Sequence, residues 1–239
     1  MRTKISTVFA VLLCSATAAA WADFVVLETD ADAFRTGQLL AGDVTVSLGE
    51  NERIVLLSAD GSIVAISGPY EGVPRGRDAQ DVDVRNALAH LIDNSDNLHA
   101  TLGSTRAAPQ RPGDPPDERD AWHLDPFSSG NQCVLSGRDV VFWRADDTAA
   151  LQLVLQRPGK NGDGAIDWPT GASTASWPAA IPLVSGELYV VRRKGWMDNA
   201  MIRVVVLDSA ISETLQTAIA WLAINGCRSQ ARILLRQLP

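Results

Sequence analysis

The chain has 239 residues, 46% of them hydrophobic and 21% charged, with a formal net charge of −7. An acidic balance without basic clusters excludes broad electrostatic binding to nucleic acid or anionic lipid, both of which need grouped cations. The longest basic run, Arg192-Arg193-Lys194, reads as a solvated strand end.

In chain order, Arg2 and Lys4 give a positive start, residues 8–13 form a short apolar run, and Ala20-Trp21-Ala22 places small residues where a signal peptidase reads. This pattern predicts a secretory signal over residues 1–22, cleaved before Asp23, and hence a periplasmic or extracellular protein. The run is far shorter than the ~20 residues that span a bilayer, and no stable membrane span is expected. Leu13 stands where a lipoprotein signal wants a small residue before Cys14, so Cys14 is expected to leave with the leader. Losing Arg2 and Lys4 with it leaves 19 basic against 28 acidic side chains.

Residues 23–76 are written in short strands. FVVLE opens them, DVTVSL alternates Val44, Val46 and Leu48 with polar residues, and RIVLLSA and SIVAIS flank Asp60-Gly61. Alternation at period two predicts half-buried strands, and Asp-Gly predicts a two-residue hairpin turn with positive φ. About 50 residues make a small core, so this unit is expected to lean on a neighbour or to wrap into a compact barrel. The stretch GQLLAGDVTVSLGENERIVLLSADGSIVAISGPYEG, with its L-x-x-G-D, its strands around an Asp-Gly turn and its closing Gly-Pro, resembles the FecR-type periplasmic β domain. That resemblance covers about 35 residues and implies a signal-receiving or interaction module rather than an enzyme. The whole chain resembles exported bacterial proteins that pair this module with a tryptophan-rich β domain.

Residues 77–121 form a connector. Val84, Leu88, Leu91, Ile92 and Leu98 follow a helical spacing, with Asp81 and Asp83 at the start where acidic side chains complement a helix N-terminus. AAPQRPGDPPDERDAW follows, too polar and proline-rich to bury a core, and reads as an extended linker sensitive to proteolysis.

Residues 122–239 read as a second β domain ending in a helical pair. CVLS, DVVFWRA, AALQLVLQ, GAIDW, STASW, ELYVVRR and AMIRVVVLD predict seven short strands, the pattern of a seven-stranded antiparallel sandwich. Ser212 is placed to cap a helix carrying Leu215, Ala218, Ile219 and Leu222 on one face, closed by Asn225-Gly226. Cys227, Ala231, Leu234 and Leu238 then share the stripe of a last helix. The expected fold is therefore mainly β with added helices.

With Cys14 removed, Cys133 and Cys227 remain, and in an oxidising compartment an isolated pair reads first as a disulfide. Such a bridge would pin the last helix to the sandwich, with little consequence for the N-terminal strands, none of which lies inside the closed loop. A zinc or nucleophile site is the competing reading, but His90, His99 and His123 bring no metal-ligand spacing.

Other constellations have plainer explanations beside their chemical ones. GKNGDGAIDWPT resembles a calcium loop internally, yet Gly159 and Thr170 replace its first Asp and its bidentate Glu, and a Gly-rich hairpin accounts for the same letters. Trp168, Trp177 and Trp196 are candidates for stacking on sugar rings, with core packing as the alternative. Asp117-Glu118-Arg119-Asp120 is more simply solvated than metal-binding. No catalytic residue, metal or cofactor is assigned. The sequence thus points to a non-catalytic envelope module that binds a protein partner. A carbohydrate- or peptidoglycan-binding sandwich is the alternative, and a glycan-directed hydrolase, which needs paired carboxylates across a cleft, comes third.

Overall fold

The computed structural model describes residues 24–74, 82–95, 119–195 and 199–239. The expected signal with Cys14, most of the Pro-rich connector (with Asp81, Leu98, His99, Asp117 and Glu118) and Trp196 lie outside the described residues. Within them the chain is mainly β with three helices.

The first strands are β1 (Phe24–Thr29), β2 (Leu39–Leu40), β3 (Val46–Leu48), β4 (Arg53–Ser58), β5 (Ile63–Ser67) and β6 (Tyr70–Gly72). Four of them form an antiparallel sheet in the order β2-β1-β4-β5, while β3 and β6 pair separately. The alternation in DVTVSL appears as buried Val46 and Leu48 around exposed Ser47. Neither sheet closes into a barrel.

The β4–β5 turn differs from expectation in one residue. Ser58 N–H bonds Ser62 O at 2.8 Å and Gly61 N–H bonds Ser58 O at 3.0 Å, so Ala59, Asp60 and Gly61 make a three-residue loop. Only Gly61 carries a positive φ, 84°. This is the turn followed by a left-handed residue that longer hairpin loops adopt. Asp60 Oδ1 accepts from Ser62 N–H at 2.9 Å, and hydrogen bonding from Ser62 holds its carboxyl below the usual value.

Glycine at 61 also serves packing, since a Cβ there would lie 2.7 Å from Thr214 Oγ1. Gly68, before a cis peptide to Pro69, is tighter still: an added Cβ would fall 1.8 Å from the Gly49 carbonyl oxygen. The closing Gly-Pro is thus a point where two backbone segments touch.

The helices are α1 (Val84–Asn94), α2 (Leu215–Ile224) and α3 (Arg228–Leu235). Asp83, expected at the helix start, is the N-cap of α1, accepting from Asn86 N–H at 3.0 Å. The cap of α2 is Thr214 rather than Ser212, because Asp208 first starts a 3-10 turn over Ser209–Ser212 and postpones the α-helix. Asn225 ends α2, followed by Gly226 at φ 74°.

The three helices pack on one another and form a layer shared by both halves of the chain. One core cluster joins Val25, Leu27, Val55 and Leu57 of the first sheet to Leu88 and Leu91 of α1, Ile219 and Leu222 of α2, and Ile233 and Leu234 of α3. It continues to Cys133, Leu135 and Leu207 of the second half. Burying one such aliphatic side chain is worth about 1.5–3 kcal/mol, so the small first sheet draws much of its stability from helices outside it, α1 close in sequence and α2 and α3 over a hundred residues away. Arg85 on α1 reinforces the layer by donating to the carbonyls of Leu235, the last residue of α3, and of Leu238 just past it.

All seven strands expected in the second half form: β7 (Gly130–Leu135), β8 (Val141–Trp143), β9 (Leu151–Gln156), β10 (Asp163–Trp168), β11 (Thr174–Ser176), β12 (Leu188–Arg193) and β13 (Asn199–Leu207). They divide into a five-stranded sheet, β10-β9-β12-β13-β7, and a two-stranded one, β11-β8. The expectation of uniformly antiparallel pairing fails at one place: β13 runs parallel to β7, with Val205 opposite Cys133. Alternation reports which face of a strand is buried, not the direction of its neighbour, and the long excursion from β7 to β13 leaves room for parallel pairing. Phe142 of β8 shares a core with Leu153, Trp168, Tyr189 and Ile202 of the larger sheet.

Candidate functional site

The disulfide is present. Cys133 on β7 and Cys227, the residue before α3, are bridged with Cα atoms 5.9 Å apart, and both are fully buried. β7 is the last strand of its sheet, and in parallel pairing every second residue turns its peptide groups away from the neighbour. Cys133 is such a residue, and the Gln230 side chain serves as its missing strand. Gln230 Oε1 accepts from Cys133 N–H at 2.7 Å, and Gln230 Nε2 donates to Cys133 O at 2.8 Å and to Ala121 O at 2.6 Å. Asn131 Nδ2 adds a bond to Asn225 O at 2.8 Å. Disulfide and amide together seal the β7 edge under α3.

Trp168 and Trp177 behave as core. Trp168 is 1% exposed and carries the Arg144 guanidinium over its ring at 4.9 Å, so neither indole face is open to a sugar. Trp177 stacks on Phe142 at 5.5 Å, meets Tyr189 edge-on at 4.9 Å and donates from Nε1 to Ile181 O at 2.7 Å. Tyr189 donates to Pro182 O and accepts from Val184 N–H, and burial pushes its phenol pKa up. Of the two readings of Trp168 and Trp177, core packing is the one their surroundings provide: alternation along β10 sends Trp168 inward, and Trp177, just past β11, packs on the same core.

Arg144 is a structural residue that the sequence reading passed over. Only 4% exposed, it donates from Nε to Ala172 O at 3.0 Å, from Nη1 to Ala149 O at 2.8 Å and from Nη2 to Pro169 O at 2.8 Å. One planar cation thereby holds two loops together. Arg144→Ala is expected to cost about 3 kcal/mol, since each charge-assisted bond is worth roughly 1.5–3 kcal/mol and solvent can recover part of the loss. Urea unfolding measures this, and a loss under about 0.5 kcal/mol, the range of ordinary surface substitutions, would show the guanidinium to be dispensable.

The former calcium-loop stretch is a hairpin. Gly159 and Gly162 hold positive φ, Asp163 Oδ1 accepts from Gln156 at 2.5 Å, and Asp167 Oδ1 accepts from Gln152 at 2.8 Å. Among the described residues no three His, Cys, Asp or Glu side chains gather as a metal cluster. His90 is exposed on α1 with its Nδ1 3.0 Å from Asn94 Nδ2.

Two features present themselves for binding. One is a cleft of about 280 Å³ lined by Asp120, Trp122, His123, Arg138, Asp139 and Val141, among others. Asp120 and Arg138 pair across 3.5 Å in it, and His123 Nδ1 is buried without a hydrogen-bond partner. The other is the free side of β5. Ser58 N–H to Ser62 O and Gly68 N–H to Glu52 O, both 2.8 Å, set the parity of the β4–β5 ladder. Even-numbered residues face β4, so Ile63, Ala65 and Ser67 turn their peptide groups outward, and among the described residues no strand pairs with them.

Comparison with known proteins does not decide between these features. The chain matches no family model, no curated protein and no solved structure.

Proposed function

We propose that this is a non-catalytic interaction or sensing module of the bacterial cell envelope, exported by its N-terminal signal, which binds a protein partner by adding a strand to β5. In this reading the first unit is a FecR-like β domain, and the seven strands of the second half, five in one layer and two in the other, form a sandwich that supports it through the helices. The open β5 edge carries the proposal. Main-chain N–H and C=O groups of an edge strand supply affinity for an extended segment regardless of its sequence, and flanking side chains add selectivity. Pull-down from envelope extracts with the wild-type chain and with Ala65→Pro tests it. Proline removes the outward N–H at the centre of the edge without touching the β4 ladder. A partner retained by the wild type and lost by the variant is expected, and equal capture by both would refute the edge as the binding surface.

A second reading, carbohydrate or peptidoglycan binding, is favoured by the Trp122 cleft, which offers an indole, a histidine and paired charges. Its volume is at the lower limit of small-molecule sites and fits one sugar unit. Calorimetric titration with N-acetylated sugars, against Trp122→Ala, decides whether that site is used.

A further inference from the structure

The larger sheets have four edges, and three are closed or blunted in ways known to prevent edge-to-edge pairing. The β7 edge is sealed by Gln230, Asn131 and the disulfide. The β10 edge presents exposed Asp163 and Asp167 and runs into Pro169. β2 is only two residues long. β5 is five residues long, Ile-Val-Ala-Ile-Ser, with no charge, proline or bulge. Such an edge, unpaired among the described residues where the others are guarded, is a surface suited to pairing.

Its register suits one occupant in particular. We infer that β5 pairs antiparallel with β5 of a second copy of this chain, about a two-fold axis at Ala65. This rests on the reading of β5 as a binding edge and names its partner. The outward residues are three in number and evenly spaced, so an axis through the middle one leaves none unmatched. Ala65 meets Ala65, and Ile63 meets Ser67 on either side, each pair exchanging two N–H···O bonds. A C2 contact requires self-complementarity of this kind, and it is the commonest symmetry of soluble oligomers. The small side chain at the axis matters because directly opposed Cβ atoms in a sheet lie about 4.5–5.5 Å apart, and two alanines fit there without clash. Ile63 and Ala65 already pack in part against the helical layer, while Val64 and Ile66 belong to the core on the sheet's other face. Pairing therefore continues both buried faces across the axis and joins two four-stranded sheets into one.

Sedimentation equilibrium of the full chain over a wide concentration range tests the inference, with hydrogen exchange at Ile63, Ala65 and Ser67 as the local readout. The wild type should approach twice the chain mass, with these three amides protected at high concentration and exchanging freely on dilution. Ala65→Pro and, separately, Ser67→Lys should remain monomeric, with unfolding midpoints that match the wild type at dilutions where it too is monomeric. A dimer that persists in both variants overturns the inference, because association then uses another surface. A wild type that is monomeric throughout overturns it as well, and the pull-down then separates the outcomes. A partner still lost on Ala65→Pro leaves the interaction-module reading standing without self-pairing, whereas none removes both.

Discussion

Replacing Cys133 and Cys227 together by alanine is expected to lower stability by about 4 kcal/mol, the chain-entropy value for a loop of this length less some native strain. For a chain of this size that corresponds to a fall of roughly 8–16 °C in the unfolding midpoint. The distribution of the effect is the sharper test. Sequence separation alone says that the N-terminal strands, lying outside the closed loop, should be indifferent. The core says otherwise, since Cys227 and Cys133 belong to the same cluster as Val25, Leu27, Val55 and Leu57. Faster amide exchange is therefore expected in β1 and β4 as well as in α3. Exchange that quickens only over residues 215–238 would falsify the shared helical layer as a cooperative unit.

Gln230→Ala is expected to be comparably damaging although it removes no apolar contact of note. Cys133 is fully buried and Ala121 is 1% exposed. Truncation leaves one N–H and two C=O groups of these residues without the amide that satisfies them. A buried polar group stripped of its partner costs about 1–3 kcal/mol, so a loss of roughly 3 kcal/mol or more follows. Gln230→Glu should fare no better, because a carboxylate can accept from Cys133 N–H but cannot donate to either carbonyl. Gln237→Ala, exposed and nearby, is the control and should fall within about 0.5 kcal/mol of wild type. Urea denaturation under oxidising conditions compares all three with the disulfide intact. If Gln230→Ala behaves like Gln237→Ala, the disulfide and the Asn131 bond suffice to hold the edge of β7.

These two residues show where the sequence could be read and where it could not. The cysteine pair was legible because two thiols in a chain expected to be exported have few alternatives, and the spacing of Cys227 with Ala231 and Leu234 pointed it inward, although it lies just before α3 rather than on it. All seven strands of the second half were legible from alternation and turn residues, and Asp83 was legible as an acidic residue at a helix start. Gln230 was not, since a glutamine within a helix is an unremarkable helix former and only the edge of β7 gives it a task. Arg144 follows an aromatic strand and looks like its solvated end. Its role depends on two loops that come within reach only once β8 and β11 have paired. The parallel β7–β13 pair and the layer of helices between the sheets are properties of neighbours, and period-two or period-3.6 patterns carry no information about neighbours. The α2 sequence is apolar nearly all round, with Thr217, Ala218, Ile219, Ala220, Leu222 and Ala223 buried. That breadth was a sign that it had more than one surface to cover.

The sharing of one core by β1 and α3 also bears on the order in which the protein can come into being. Domains generally fold as units, the earlier ones while later ones are still being made at about 5–20 residues per second. Here the first sheet cannot finish in that way. α1 can cover part of the apolar side of Val25, Leu27, Val55 and Leu57 soon after it is made, but the rest waits for residues 215–238. From β4 to the end of α3 that wait is roughly 10–40 seconds at such rates. Through all of it an unblocked β5 edge and a half-covered sheet are presented to whatever else is in the compartment. Only when α3 has been made can it close the structure that β1 began.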